Sequence, residues 1–140
     1  MSSNKTKITV EALIDAPVEK VWQLWTLPEH VTKWNSASPD WHTPKAENDL
    51  RPGGKFSSRM EAKDGSMGFD FEGTYHEVII NDLITYEMSD GRQVTVTFAS
   101  IGNQTHVKEI FDPETENPAE LQKAGWQSIL DNFKKYAESN

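Results

Sequence analysis

The sequence predicts an α+β fold in which a curved antiparallel sheet of six or seven strands surrounds a long C-terminal helix. Three observations predict it. The chain ends in a long amphipathic segment over residues 118–138, strand-like alternation joined by tight turns precedes that segment from residue 55 onward, and two short helical patterns follow the first strand. One helix must then cover one face of the whole sheet. The space between them is either packed core or a cavity.

Composition limits the classes of function. A chain of 140 residues suits one domain with a sizeable core, so we expect a single domain over residues 1–140 and a monomer. Cysteine is absent, which excludes disulfides and thiolate chemistry and favours a cytoplasmic location. No apolar stretch approaches the roughly 20 residues that cross a bilayer, so no membrane insertion is expected. The net charge of -8 would repel a polyanion, which argues against nucleic acid as a partner.

The N-terminal third contains one strand and two helices. Apolar residues from Ile8 to Ile14 share one parity, which predicts a strand over residues 5–14 with one buried face. Asp15 is a candidate N-cap, and apolar residues recur at helical spacing from there to about Trp25. The segment that starts at Leu27 and runs to Trp34 repeats the helical pattern. We therefore expect two short helices that lie nearly end to end.

The middle of the chain is a series of strands. Residues 35–50 contain Trp41 as their one large apolar side chain and are predicted as loop, with a short edge strand near residues 46–51. Strands follow over residues 55–62, from Phe69, and over residues 83–88, 93–100 and 105–111. Tight turns separate them at residues 51–54, 64–65, 81–82, 90–91 and 102–103. Within the strand from Phe69, Gly73 is expected to permit sheet curvature.

The last segment predicts a helix over residues 118–138, about 31 Å long at about 1.5 Å per residue. Its apolar side chains fall on one stripe, while the polar ones, Gln122 among them, mostly lie away from it. Gly125 is expected to allow a close approach of another backbone near the middle of the helix. The stripe consists of Trp126, Ile129, Leu130, Phe133 and Ala137.

A succession of motifs resembles one known family. The motifs are residues 16–22 (APVEKVW) with residues 25–30 (WTLPEH) and Trp34, then residues 50–56 (LRPGGKF), residues 71–78 (FEGTYHEV), residues 94–98 (VTVTF), and Gly125-Trp126 with Leu130. In this order they resemble proteins similar to the C-terminal domain of the heat-shock-protein-90 ATPase activator. That family belongs to the START-like superfamily of polyketide cyclases and birch-pollen allergens. One departure is Trp34-Asn35, where the family often has two adjacent tryptophans.

The resemblance implies a helix-grip fold with a cavity between the sheet and the C-terminal helix. Members of the superfamily act as lipid carriers, cyclases, hormone receptors or chaperone regulators, so the fold alone does not select one function. Large rings on a strongly curved sheet that pack imperfectly would leave a void of about 300–1,000 Å³, the usual size of a ligand pocket. The predicted ligand-binding residues are Trp25, Trp34, Trp41, Phe56, Met60, Phe69, Phe71, Tyr75, Val96, Phe98, Glu109, Trp126, Leu130 and Phe133.

Two carboxylates are predicted to face this interior. Strand parity places Glu109 on the face of Val107 and Phe111, and Glu77 on the face of Tyr75, unless a bulge intervenes. An unpaired carboxylate in an apolar cavity is costly, so each would need a partner or a raised pKa suited to acid-base chemistry. The alternative is that both are solvated or simply paired, because each lies near the end of its strand.

Three functions follow from these patterns. The leading hypothesis is binding of a hydrophobic or amphipathic small molecule, without catalysis. The second is a cyclase or hydrolase that uses Glu109 or Glu77 with Tyr75. The third is a protein-interaction module that binds a chaperone through a surface around Trp41 and the second helix. No cofactor and no metal are expected, because the four histidines lack metal-ligand spacing and no nucleophile lies beside a base in the sequence.

Overall fold

The computed structural model describes residues 7–140, and within them it has one seven-stranded antiparallel sheet and three helices. The elements are β1 (Ile8–Ile14), α1 (Val18–Thr26), α2 (Pro28–Trp34), β2 (Trp41–Asn48), β3 (Lys55–Ala62), β4 (Gly68–Ile79), β5 (Leu83–Met88), β6 (Gln93–Ile101), β7 (Gln104–Phe111) and α3 (Ala119–Glu138). The strand order is β1-β7-β6-β5-β4-β3-β2, so the consecutive strands β1 and β2 lie at opposite edges. Helices α1 and α2 connect these two edges of the sheet. The predicted α+β architecture is confirmed.

The core lies between the inner face of the sheet and the three helices. Strands β5 and β7 alternate strictly between buried and partly exposed side chains, because a strand presents successive side chains to opposite faces. Helix α3 packs against β1 and buries the C-terminal part of its apolar stripe, with Leu130, Phe133 and Ala137 fully inaccessible. Burial of each large apolar side chain stabilises the fold by about 1.5–3 kcal/mol relative to exposure. This packing holds α3 over the sheet.

The N-terminal predictions need two corrections. Strand β1 begins at Ile8, and residues 5 and 6 of the predicted strand lie outside the described residues. Asp15 is not the N-cap of α1, because Pro17 occupies that position without a side-chain cap. The backbone N–H of Asp15 instead donates a hydrogen bond of 2.9 Å to Oε2 of Glu138. Asp15 therefore ties the end of β1 to the end of α3.

The prediction for residues 35–50 was largely wrong. Strand β2 spans Trp41–Asn48 rather than residues 46–51, although it is an edge strand as expected. Its pairing with β3 shifts register between His42 and Lys45, where Pro44 lacks the N–H that a regular ladder requires. The strand was missed because proline and polar residues interrupt its alternation. An edge strand with a bulge tolerates such a proline.

The predicted tight turns are confirmed. Gly91 has φ +93°, and Asn81 has φ +64°, both in the left-handed region that short hairpin turns require. These turns join β4, β5 and β6 into consecutive antiparallel pairs. The local chemistry of the turns therefore determines which strands become neighbours.

Two expectations for α3 were wrong. Gln122 is buried rather than solvent-facing, and its side-chain Oε1 accepts a hydrogen bond of 2.8 Å from the backbone N–H of Glu114. Its Nε2 donates one of 2.8 Å to the carbonyl of Asn117, so Gln122 holds the segment between β7 and α3. Gly125 makes no close approach, since a Cβ built there would meet no atom within 4 Å.

The glycine that the packing requires is Gly73, on the inner face of β4. Gly73 pairs directly with Phe56 of β3, and the Phe56 ring lies over it. A Cβ at Gly73 would come within 2.6 Å of the Phe56 ring and 2.9 Å of the backbone carbonyl of Glu87. An aromatic ring that covers a glycine on the neighbouring strand is a recurrent way to fix strand register in curved sheets.

Gly73→Ala is therefore expected to lower the free energy of unfolding by about 1–3 kcal/mol, because the added methyl group must displace the Phe56 ring or the backbone of β5. Urea denaturation measures the change. Gly125→Ala is the matched control, since it adds the same methyl group in open space within a helix and should stabilise the protein by about 0.8–1 kcal/mol. Equal effects of the two substitutions would contradict this account of the packing.

Candidate binding cavity

A cavity of about 320 Å³ lies between the inner face of the sheet and helices α2 and α3. This volume is at the lower end of the range for small-molecule sites, about 300–1,000 Å³. Strands β2 to β5 and β7 supply the floor and one side, and the helices supply the roof. The lining residues are Trp25, Pro28, Val31, Trp34, Asn35, Ala46, Glu47, Asn48, Phe56, Ser58, Met60, Phe69, Phe71, Tyr75, Ile84, Tyr86, Arg92, Glu109, Glu114, Gln122, Trp126 and Ile129.

Aromatic rings from three neighbouring strands form the floor. The ring centroid of Phe56 lies 4.8 Å from that of Tyr86 and 5.2 Å from that of Tyr75. The Phe71 centroid lies 5.7 Å from that of Phe56. Rings at these separations attract one another beyond the gain from burial, by about 0.5–1.5 kcal/mol per pair. The floor is therefore a connected surface of rings that support each other.

Trp126 connects the roof to the floor. Its indole stacks on Phe111 of β7 with a centroid distance of 3.8 Å and an interplanar angle of 13°. It also meets Phe71 edge to face at 6.2 Å. Because Trp126 lies on α3, these contacts set the spacing between helix and sheet at one end of the cavity.

A second group of rings packs together beneath α1 and α2. Trp25, Trp34 and Phe133 lie with their centroids within 5.0 Å of one another, and Phe98 meets Trp25 edge to face at 5.8 Å. The Trp34 indole Nε1–H donates a hydrogen bond of 2.9 Å to the carbonyl of Leu24. Trp25 and Trp34 also line the cavity, so one wall is backed by packed core.

Glu109 is a buried ionisable group that lines this cavity. It lies on the inner face of β7, opposite Val96 of β6 and Val10 of β1, and it is 6% exposed. Burial raises the pKa of Glu109 to about 8, because an apolar environment disfavours the carboxylate. Among residues 7–140, no hydrogen bond or neighbouring charge counteracts that effect. The predicted inward carboxylate is confirmed at this position.

Two tyrosines, Tyr75 and Tyr86, line the cavity together with Glu109. Burial, and then the charge of Glu109, raises the pKa of Tyr86 well above its usual value. Burial likewise raises the pKa of Tyr75. The Tyr75 hydroxyl donates a hydrogen bond of 2.7 Å to Oδ1 of Asn48, whose Nδ2 donates one of 2.6 Å to the carbonyl of Thr26. This chain of hydrogen bonds links β4, the edge strand β2 and the end of α1.

The second predicted inward carboxylate, Glu77, is exposed. The pairing of β4 with β5 shifts register between Tyr75 and Glu77, so a bulge reverses the parity of the strand beyond that point. Val78 packs against the core in its place. The proposed role of Glu77 inside the cavity was therefore wrong. The parity argument required that no bulge intervene in the strand, and a bulge does.

The structure gathers some predicted site residues and separates others. The residues that line the cavity are Trp25, Trp34, Phe56, Met60, Phe69, Phe71, Tyr75, Glu109 and Trp126. Val96, Phe98, Leu130 and Phe133 lie in the packed core instead. Trp41 lies on β2, half-buried, with its ring centroid 6.0 Å from that of Phe69. Contact between any of these residues and a ligand stays a prediction.

Several lining residues were missed. Ile84 and Tyr86 share the buried parity of β5, so the alternation in that strand contains the signal that would have found them. Asn48 lay in the predicted loop, where no parity could be assigned. Arg92 follows a hairpin turn, and its Nε–H donates a hydrogen bond of 2.8 Å to Oδ2 of Asp90. Arg92 lines the cavity only because the turn before it orients its side chain toward the sheet interior, and the local sequence does not determine that orientation.

In residues 7–140, no group of three or more histidine, aspartate or glutamate side chains is placed to hold a metal ion. None of the helices in that range is both long and apolar enough to span a bilayer.

A curved sheet covered by a C-terminal helix, with a cavity between them, defines the helix-grip, START-like class of domain. The chain belongs, within that class, to the family described as activator of Hsp90 ATPase homolog 1-like protein, whose model matches residues 15–138. This confirms the resemblance found in the sequence. Proteins of this START-like class commonly bind ligands.

Solved structures agree with the assignment. The chain is 48% identical to an AHSA1-like protein from Aeromonas hydrophila, with a TM-score of 0.90 over 96% of this chain and 93% of that one. It is 54% identical to a protein from Cytophaga hutchinsonii, with a TM-score of 0.83 and the same coverage of both chains. A protein from Nitrosomonas europaea shares the fold at 20% identity, with a TM-score of 0.81 over 95% of this chain and 94% of that one. No curated protein matches the chain.

The raised pKa of Glu109 predicts a pH dependence of stability. Its folded value of about 8 exceeds the ordinary value of 4.5, so the folded state binds the proton more tightly than the unfolded state. The stabilisation that this tighter proton binding provides is fully present below the pKa of Glu109 in the unfolded state. It is lost as the pH rises through the pKa of Glu109 in the folded state. Between about pH 5 and about pH 8, the free energy of unfolding should fall by about 1.4 kcal/mol per pH unit relative to Glu109→Gln.

Urea denaturation of both proteins across this range measures the difference. Glu109→Gln serves as the reference because it keeps the size and hydrogen-bonding capacity of the side chain but cannot ionise. Parallel pH profiles for the two proteins would show that Glu109 is not buried in the way described.

Proposed function

We propose that the chain binds a hydrophobic or amphipathic small molecule in the cavity between the sheet and α3, without catalysing a reaction. The observation that carries this proposal is the 320 Å³ cavity, which is lined mainly by aromatic and aliphatic side chains with a few polar groups. Small-molecule sites have this composition, because apolar walls supply affinity and a few polar groups fix the orientation of the ligand.

The packing of the walls favours binding at low entropic cost. The floor rings of Phe56, Tyr75 and Tyr86 contact one another, and Trp126 is stacked on Phe111. Side chains held in this way lose little rotamer freedom when a ligand arrives, whereas a flexible side chain would lose about 0.5–1.5 kcal/mol. A ligand can therefore gain contact area without first ordering the site.

The lining residues also explain why we do not propose catalysis. Ser58 lines the cavity and carries a hydroxyl group, but no histidine is among the described lining residues. A serine nucleophile requires an adjacent base that accepts its proton. Glu109 lies on a different strand, across the floor from β3, and burial favours its neutral form at pH 7. These observations support a binding role over hydrolysis by a serine.

Binding is tested by following the five tryptophan indole N–H signals by NMR during titration with fatty acids, sterols and aromatic polyketides. We expect at least one compound class to shift the signals of Trp25, Trp34 and Trp126, which line the cavity, more than that of Trp41, which does not. Changes confined to Trp41, or no change with any class, would refute the proposal.

A pair of substitutions separates the cavity from the surface. Ala46→Phe places a ring in the cavity, because Ala46 lines it and pairs with the buried Ser58. Ala99→Phe adds the same ring on the outer face of β6, where Ala99 is exposed. Ala46→Phe should weaken binding at least about tenfold, whereas Ala99→Phe should leave it unchanged.

Glu109 also supports a second candidate function, acid-base catalysis on a bound molecule. A carboxyl group with a pKa near the working pH can donate and accept a proton, and Glu109 has that property inside a cavity. The test is turnover of cyclase or ester substrates by the wild type and Glu109→Gln. A rate that falls at least about a hundredfold in the variant would support this function, since acid-base catalysis contributes about 10²–10⁴-fold. An unchanged rate would exclude it.

Interaction with a chaperone through the surface around Trp41 stays a prediction. Trp41 is half-buried next to Phe69, so only part of its ring is available to a partner. The binding proposal for the cavity does not depend on this surface.

A further inference from the structure

We propose that the ligand of the cavity is a cationic amphiphile, whose protonated amine pairs with Glu109 while its apolar body lies against the aromatic floor. This inference rests on the proposed binding function and names the chemical class of the ligand. It follows from the position of Glu109, from the rings beside it and from the charges that face the cavity.

Glu109 lacks what a buried carboxylate needs. It is 6% exposed, it lines the cavity, and the side chains opposite it across the sheet are Val10 and Val96. Within residues 7–140, no side chain donates a hydrogen bond to it or forms an ion pair with it, and its carboxyl oxygens are accessible from the cavity rather than sealed in the core. Buried charges in proteins are paired, so a cation delivered by a ligand would supply the missing partner. A hydrocarbon ligand would leave the carboxyl group unsatisfied.

The surrounding rings suit an ammonium group. Tyr86 lies close enough to Glu109 for the carboxylate charge to raise its pKa, and the rings of Phe56 and Tyr75 lie 4.8 Å and 6.3 Å from that of Tyr86 between centroids. The face of an aromatic ring attracts a cation, with about 0.5–2 kcal/mol or more depending on desolvation. A carboxylate at the edge of an aromatic floor therefore offers a cation both an ion pair and ring faces.

The charges that face the cavity also favour a cation. Glu109 of β7 and Glu114 after β7 are acidic, and Arg92 in the β5–β6 turn is the one basic side chain in the described lining. Glu47 of β2 also lines the cavity, but it is exposed and already forms an ion pair of 3.0 Å with Lys45. Arg92 already donates a hydrogen bond to Asp90. Helices α1, α2 and α3 contribute no charged side chain to the lining, and Tyr75 and Tyr86 stay neutral because burial raises their pKa values. A fatty-acid carboxylate, in contrast, could form no ion pair with Glu109.

The proposal predicts proton release. The free protein holds Glu109 mostly neutral at pH 7, because burial raises its pKa to about 8. Pairing with an ammonium group favours the carboxylate, so binding at pH 7 should release close to one proton per ligand. At about pH 9.5 Glu109 is already ionised, whereas an alkylamine with a pKa of about 10.4 is still charged. The number of protons released on binding should therefore approach zero at that pH.

Calorimetric titration with three probes tests this inference. The probes are phenylbutylamine, the uncharged phenylbutanol and the anionic phenylbutyrate, and each is measured in two buffers with different ionisation enthalpies to count protons. We expect the amine to bind at least about tenfold more tightly than the alcohol, and phenylbutyrate to bind more weakly than either. In Glu109→Gln the preference for the amine and the proton release should both disappear.

A second variant keeps the test independent of any folding defect in Glu109→Gln. Arg92→Gln removes the cation of the lining and leaves Glu109 intact, so it should raise affinity for the amine and lower affinity for phenylbutyrate. Amide NMR spectra establish that each variant is folded. Unchanged relative affinities in Arg92→Gln would overturn the electrostatic argument.

The remaining outcomes separate the two proposals. If the alcohol or phenylbutyrate binds as well as the amine, or Glu109→Gln keeps the preference, the cationic ligand is refuted while the binding function stands. If no probe binds and no compound class shifts the indole signals of the cavity tryptophans, both proposals fail.

Discussion

The structure depends on a mismatch in width between one helix and one sheet. Seven strands spaced by about 4.8 Å make a sheet roughly three times as wide as a helix of about 10–12 Å diameter. Helix α3 packs against β1, and its Trp126 stacks on Phe111, so the half of the sheet nearest β1 is covered. Over β3 to β5 the covering elements stand farther away, and the rings there face a cavity. Large side chains narrow this gap without closing it.

Glu109 lies where this geometry makes a carboxyl group costly. The neighbouring positions Val107 and Phe111 are fully buried, and an apolar residue at position 109 would extend that core without penalty. The chain instead carries an ionisable group whose pKa burial has raised to about 8. Stability given up at a binding site is a common feature of functional proteins. The proposed ligand, which interacts with the carboxyl group, would account for both the cost at Glu109 and the cavity beside it.

The sequence determined most of the fold because one buried face imposes strict alternation on a strand. β5 and β7 show this alternation along their whole length, and turn residues mark where each strand ends. The bounds of the edge strand β2 were not predicted correctly because Pro44 and the register shift beside it interrupt the alternation of side chains. Glu77 was misplaced because a bulge depends on pairing with β5, which lies outside the local sequence. Parity identifies inward residues, but it cannot separate Phe56 at the cavity from Phe98 in the core.

The central claim is that Glu109 is buried at the cavity without a partner, and its ionisation measures that directly. The carboxyl carbon shift of Glu109, followed by NMR against pH with Glu109→Gln used to assign the signal, gives its pKa in the folded protein. The account predicts a midpoint near pH 8. A midpoint near the ordinary value of 4.5 would mean that water or a partner solvates the carboxylate, and it would contradict the account.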